Sequence, residues 1–156
     1  GISRRVPGGA RAHNGGVLHL PASLHAALWA HARQDPAREC VGALGGHRQG
    51  SGLNAVWDVQ TLYPLPNIAP RPDREYLAEP RALLRALKAM RAEELDLVGL
   101  YHSHPRGPQE PSETDLRLAS YEVPYLIADL RSGRLGAFHL PGGQRVPLRI
   151  TGVTPD

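Results

Sequence analysis

The sequence predicts an α+β fold, mixed α/β in character, with one curved mixed β-sheet flanked by helices. Two observations carry this. Short apolar runs of strand length, bounded by Gly and Pro, recur from Val17 to Ile150, while two longer segments near 21–33 and 80–94 place apolar residues at helical spacing. The order of these elements suits a single sheet with helices packed against it. At 156 residues the chain is expected to form one domain over 17–156, with room for a single core. Residues 1–16 are rich in Gly and Arg, lack periodicity, and are expected to be a mobile N-terminal segment.

In chain order, Val17 to Leu20 reads as a short strand. Pro21 to Arg33 reads as a helix, with Ser23 as a cap and Leu24, Ala27, Leu28 and His31 at helical spacing. Glu39–Leu44 and Leu53–Leu62 read as the strands of a hairpin that turns around Gly45-Gly46-His47-Arg48-Gln49-Gly50-Ser51-Gly52. The proline-rich stretch Tyr63 to Pro80 is too long and irregular for a plain connection, and such stretches are usually functional or disordered. Within it, Asn67 and Tyr76 either touch substrate or serve local turns and packing. A helix follows from Pro80 to Glu94, with Leu83, Leu87 and Met90 as a core stripe. Leu95–Leu100 reads as a buried strand. A helix beginning near Ser112 runs to about Ser120, and strands lie near Tyr125–Leu130, Leu135–His139 and Val146–Ile150. There is no internal repeat.

Composition excludes several classes. No apolar run approaches the roughly 20 residues of a membrane span, and no signal-peptide pattern opens the chain. The single cysteine, Cys40, forbids an intramolecular disulfide and suits a soluble, cytoplasmic protein. The net charge of +3 comes from scattered arginines, with Lys88 the only lysine, so nucleic acid is not an expected partner.

The chemistry concentrates in Tyr101-His102-Ser103-His104-Pro105 and in Pro111-Ser112-Glu113-Thr114-Asp115. Two histidines one residue apart share a face only on extended backbone, where side chains alternate. His102 and His104 then point together where the buried strand leaves the core. The intervening loop is rich in Pro and Gly, so it can turn and bring Asp115 back beside them. Three N/O ligands leave one position of a zinc ion open for water, as in catalytic rather than structural sites. Ser112-Glu113-Thr114-Asp115 also reads as a helix N-terminus capped by Ser112, and the two readings are compatible. A hydrolase further needs a group that takes and returns a proton. Glu39, at the mouth of a core strand, is the upstream candidate, against the plainer reading of a solvated strand-end carboxylate.

Glu39-x-x-Gly42-x-Leu44-x-Gly46, then His102-Ser103-His104-Pro105, then Pro111-Ser112-x-x-Asp115 resembles the signature of the JAMM metallopeptidases, also called MPN-plus or JAB, of the bacterial type. The resemblance spans most of the chain. It implies an MPN-like fold, a zinc ion held by His102, His104 and Asp115, Glu39 as general acid/base, and Ser112 as a hydrogen-bond donor to the oxyanion or the zinc-bound water. It also implies hydrolysis of a peptide or isopeptide bond at the C-terminal tail of a ubiquitin-like or sulfur-carrier protein. In one detail the chain departs from many members: Cys40 follows the glutamate directly, where Glu-x-Cys-Gly is common.

Three other readings bear on these residues. Cys40 would complete a structural tetrahedron with the histidines and Asp115, but on a strand it faces away from Glu39. Zinc deaminases need His-x-Glu and Pro-Cys-x-x-Cys, which the chain lacks. A non-catalytic interaction module of the same fold is the remaining alternative, since one fold hosts unrelated functions. His13, His19, His25, His31 and His139 read as structural or surface histidines, whereas His47, after two glycines near Glu39, is a candidate to line the cleft.

Overall fold

The computed structural model describes residues 16–152. The expected mobile segment and His13 therefore fall, Gly16 aside, outside the described residues. The elements are β1 (Val17–Pro21), α1 (Ala22–Gln34), β2 (Val41–Gln49), β3 (Val56–Leu65), α2 (Pro80–Ala92), β4 (Asp96–His104), α3 (Glu113–Leu118), β5 (Tyr125–Asp129), β6 (Arg134–His139), β7 (Gln144–Val146) and β8 (Leu148–Thr151). The fold is α+β, as the patterning predicts.

All eight strands join one sheet in the order β7-β6-β5-β4-β2-β3-β1-β8. β2 pairs antiparallel with both β3 and β4, whereas β4/β5, β1/β3 and β1/β8 are parallel. The last apolar run is not one strand. Pro147 divides it, so that β7 pairs with β6 at one edge of the sheet and β8 pairs with β1 at the other. One residue spans at most about 3.6 Å, so the sheet must curl until its two edges meet at this proline. Pro147 lacks an amide hydrogen, but its carbonyl accepts from Leu18 N at 2.8 Å, fastening β8 to β1.

β4 lies in the middle of the sheet, and Val98 to His104 are buried without interruption. That is the pattern of a strand covered on both faces, and it explains why this segment alternates weakly in sequence. Helix α1 packs on β1, β3 and β8; α2 packs on β2, β3 and β4 and buries Ala82, Ala86 and Met90. Glu79 caps α2, its carboxylate accepting from Arg81 N and Ala82 N at 3.0 Å each. Ser23 does not cap α1: Pro21 ends β1 and is itself the N-cap, without a side-chain hydrogen bond.

The glycines of the first motif have packing reasons. Gly42 stands opposite Tyr101 in the β2/β4 register, and any side chain at Gly42 would overlap the Tyr101 ring. Gly46 lies as close to the Asp58 carbonyl, at a register shift between Gly45 and Gly46. The hairpin turns within the expected stretch 45–52, but only at its far end, and the first strand runs past its expected limit at Leu44. β2 continues through the bulge to Gln49, and the turn is made by Gly50 and Gly52, both with positive φ.

Candidate metal centre and active site

β4 is extended through both histidines, so the alternation that predicts a shared face operates here. His102 Nε2 and His104 Nε2 lie 3.2 Å apart. Asp115 is carried to them by α3. Ser112 Oγ accepts from Asp115 N at 3.1 Å and Ser112 N donates to Asp115 Oδ2 at 2.9 Å, a reciprocal capping box that fixes the first turn of α3 and the rotamer of Asp115 together. The same Oδ2 lies 3.1 Å from His102 Nε2 and 3.0 Å from His104 Nε2. Two nitrogens and one oxygen thus form a nearly equilateral triangle.

These three atoms fit a cation. Ligands at tetrahedral zinc bond lengths of 2.0–2.1 Å stand about 3.3 Å from one another, close to the sides of this triangle. His104 Nδ1 donates to the Pro108 carbonyl at 2.7 Å, which turns the lone pair of Nε2 toward the centre. Tyr76 stacks on the His102 ring, with centroids 4.1 Å apart and planes 21° from parallel, and so fixes the second imidazole. Ligand atoms of Glu39, His102 and His104 also lie within 4.8 Å of one another. Asp115 makes the shorter contacts to both histidines, which leaves Glu39 beside the triangle rather than in it. The Glu39 carboxylate is buried, and its Oε1 has no hydrogen-bond partner among the described residues. An unpaired buried carboxylate is costly unless something else occupies its field.

The electrostatics follow from burial. Glu39, His102, His104 and Asp115 are 6%, 0%, 6% and 3% exposed, so their charges are poorly screened. Desolvation pushes Glu39 up to about 8. Burial pushes His102 below its ordinary value. Burial would also lower His104, but its hydrogen bonds to Asp115 and to the Pro108 carbonyl outweigh this and raise it. Burial alone would raise Asp115, yet the two histidines hold its carboxyl well below the usual carboxylate range. Burial and the neighbouring imidazoles thus push the two carboxyls in opposite directions, Glu39 toward holding a proton and Asp115 toward losing it.

Glu39 sets a pH dependence for the metal-free protein. Its folded value lies above its unfolded one, so the folded state holds the extra proton. The stability it confers is complete below the unfolded pKa and is lost as pH rises toward about 8. Metal-free wild type should lose stability relative to metal-free Glu39→Gln between pH 5 and pH 9, by on the order of 2–4 kcal/mol in denaturant melts. A constant difference across that range would contradict the assignment.

Other expectations fare differently. Ser112 is exposed and, with Glu39 and His104, lines a cleft of about 420 Å3 walled by Asp73, Arg74 and Pro105 to Pro108. Cys40 is absent from the ligand cluster; it packs half-buried against the core, and burial raises its thiol to about 11. His47 does not line this cleft. Because β2 runs on past Gly46, His47 stands opposite Asp58 at the far end of the strand, in a separate cavity with His19. His31 Nδ1 lies 2.7 Å from Tyr101 Oη, behind the site. Sequence reasoning missed Asp129, which is buried beside Gly107 and accepts from Arg131 N, Ser132 N and Ser132 Oγ. Its Asp-x-x-Ser-Gly turn was the available signal.

Residues 21–141 match the family described as prokaryotic homologs of the JAB domain. The chain belongs to this family. Over 92% of its length this JAB protein is 42% identical to a probable TtuB-protein conjugate cleaving protease of Thermus thermophilus, covering 88% of that relative. It is also 32% identical to a desampylase of Haloferax volcanii, over 81% of this chain and 90% of the relative. The fold matches a solution structure from Desulfitobacterium hafniense at a TM-score of 0.77 and 31% identity, covering 86% of this chain and 93% of the other. A JAB1/MPN domain protein of Archaeoglobus fulgidus shares the fold at a TM-score of 0.51 and 17% identity, over 88% and 98% of the two chains. With protease relatives and a clustered His/His/carboxylate site, this JAB chain is an enzyme of the protease class, and the non-catalytic alternative gives way.

Proposed function

We propose that this chain is a zinc-dependent peptidase that hydrolyses a peptide or isopeptide bond at the C-terminal tail of a ubiquitin-like or sulfur-carrier protein. The observation that carries this is the convergence of His102 Nε2, His104 Nε2 and Asp115 Oδ2 beside the unpartnered carboxylate of Glu39. The relatives named as a conjugate cleaving protease and a desampylase support a protein-conjugate substrate. Zinc suits a set of two imidazoles and one carboxylate. A cytoplasmic setting belongs to the same reading, since the lone thiol of Cys40 needs no oxidising compartment.

In this reading His102, His104 and Asp115 hold the cation, which when bound supplies a Lewis acid and a water of lowered pKa. Glu39 accepts the proton of the attacking water and delivers it to the leaving amine, a task suited to a buried carboxylate whose oxygen stands beside the ligand triangle without a partner of its own among the described residues. Ser112 spends its hydroxyl lone pair on the α3 cap, which leaves its proton free to reach the cleft and meet the developing oxyanion. One such donor is worth about 3 kcal/mol. A tail ending in glycines brings scissile backbone close to these groups without a side-chain clash.

The test is a cleavage assay on ubiquitin-like C-terminal fusions and lysine-linked conjugates, with and without a chelator. Cleavage should cease with chelator and return on adding zinc. Chelator-insensitive cleavage would remove the metal reading.

A further inference from the structure

Glu39 precedes the first paired residue of β2, Val41, so strand pairing does not hold it. Its buried carboxylate has an oxygen, Oε1, with no hydrogen-bond partner among the described residues. What fixes it is backbone. Glu39 N donates to the Pro72 carbonyl at 2.7 Å, and the Glu39 carbonyl accepts from Asn67 Nδ2 at 2.9 Å. The next amide, Cys40 N, donates to Ser103 Oγ at 2.8 Å, and Ser103 N returns a bond to the Cys40 carbonyl at 3.2 Å.

Both side chains are themselves held firmly. Asn67 Nδ2 also donates to the Glu75 carbonyl at 3.0 Å, while its Oδ1 accepts from Ala69 N at 3.0 Å and Leu77 N at 2.9 Å. Its amide therefore spans the loop between β3 and α2 and ends on Glu39. Ser103 is fully buried between the two histidines, so the residue that separates the ligands also ties the Glu39 segment to the ligand strand.

Resting on the reading of Glu39 as general base, we propose that Asn67 and Ser103 are positioning residues that bracket Glu39 by its backbone. They set the distance between its carboxylate and the water it deprotonates. A displacement of about 1 Å at such a group costs on the order of 100-fold in rate.

The test compares kcat, KM, bound zinc and melting temperature on a fusion that wild type cleaves. Asn67→Asp keeps the oxygen that serves Ala69 and Leu77 but loses the donor to the Glu39 and Glu75 carbonyls. Ser103→Ala loses the acceptor for Cys40, and Ser103→Thr restores it. Asn67→Asp and Ser103→Ala should each lose about 10-fold or more in kcat, with KM within about twofold and zinc content unchanged, and Ser103→Thr should recover most of the loss. Wild-type kcat in the first two overturns the proposal. So does a loss that follows zinc content, or one that threonine fails to rescue. If Asn67→Asp does not fold, the Ser103 pair decides alone. Glu39→Gln, run in parallel, separates the two readings: an active Glu39→Gln removes the base itself, whereas an inactive one beside fully active Asn67 and Ser103 variants sinks only the bracket.

Discussion

Glu39→Gln should retain its zinc and lose about 100- to 10,000-fold in kcat, the range expected when a general base is removed. The amide keeps the size and buried position of the carboxylate, so the backbone bracket and the His102–His104–Asp115 triangle are undisturbed. It cannot take a proton from water. KM should change little, because in the proposed mechanism the carboxylate acts on the reacting proton and not on the body of the substrate. Steady-state kinetics with zinc determination on the same sample checks this. A zinc-loaded variant with normal turnover would falsify the role of Glu39.

Asp115→Ala should be worse in a different way. Asp115 Oδ2 contacts both imidazoles and the Ser112 amide, so one truncation removes the proposed anionic ligand and half of the capping box. Zinc binding should weaken by orders of magnitude and activity should vanish. Loss of the bond from Ser112 N should lower the stability of the metal-free protein by about 1 kcal/mol, with a further cost from leaving His104 buried without its partner. Asp115→Asn separates the two jobs. Its side-chain oxygen still accepts from Ser112 N, so stability should largely return, while the lost negative charge leaves zinc binding weak. Zinc titration together with thermal melts distinguishes the variants, and stoichiometric zinc with full turnover in Asp115→Ala would contradict the ligand assignment.

The features legible in the sequence were those governed by local periodicity. His102 and His104 share a face because β4 stays extended, and Asp115 reaches them because Ser-x-x-Asp after a Pro/Gly-rich loop starts a helix. Glu39 was less legible, since a carboxylate at a strand mouth carries no local pattern that separates use from exposure; the motif resemblance supplied its role. What the sequence concealed depends on long-range packing. Gly45-Gly46 has the composition of a turn, yet close approach of the Asp58 carbonyl makes it part of a bulged strand, and His47 leaves the cleft with it. Asn67 and Tyr76 looked like loop residues; their partners, Glu39 and His102, are distant in sequence. Pro147 read as the interior of one strand because nothing local announces that β7 and β8 lie on opposite edges.

The junction at Pro147 has a consequence for how the chain folds. Among the described strands β1 comes first and β8 last, yet they pair in parallel, Leu18 with Leu148 and Pro21 with Thr151. This is among the most non-local pairings the chain contains, and such contacts form late because a long loop must close before they repay its entropy. During synthesis the side of β1 that β8 will cover stays open until residues 148–151 have left the ribosome. An exposed strand edge of that kind invites pairing with other chains. β8 therefore covers the edge of β1 only late in biosynthesis, although none of its residues lines the cleft beside Glu39.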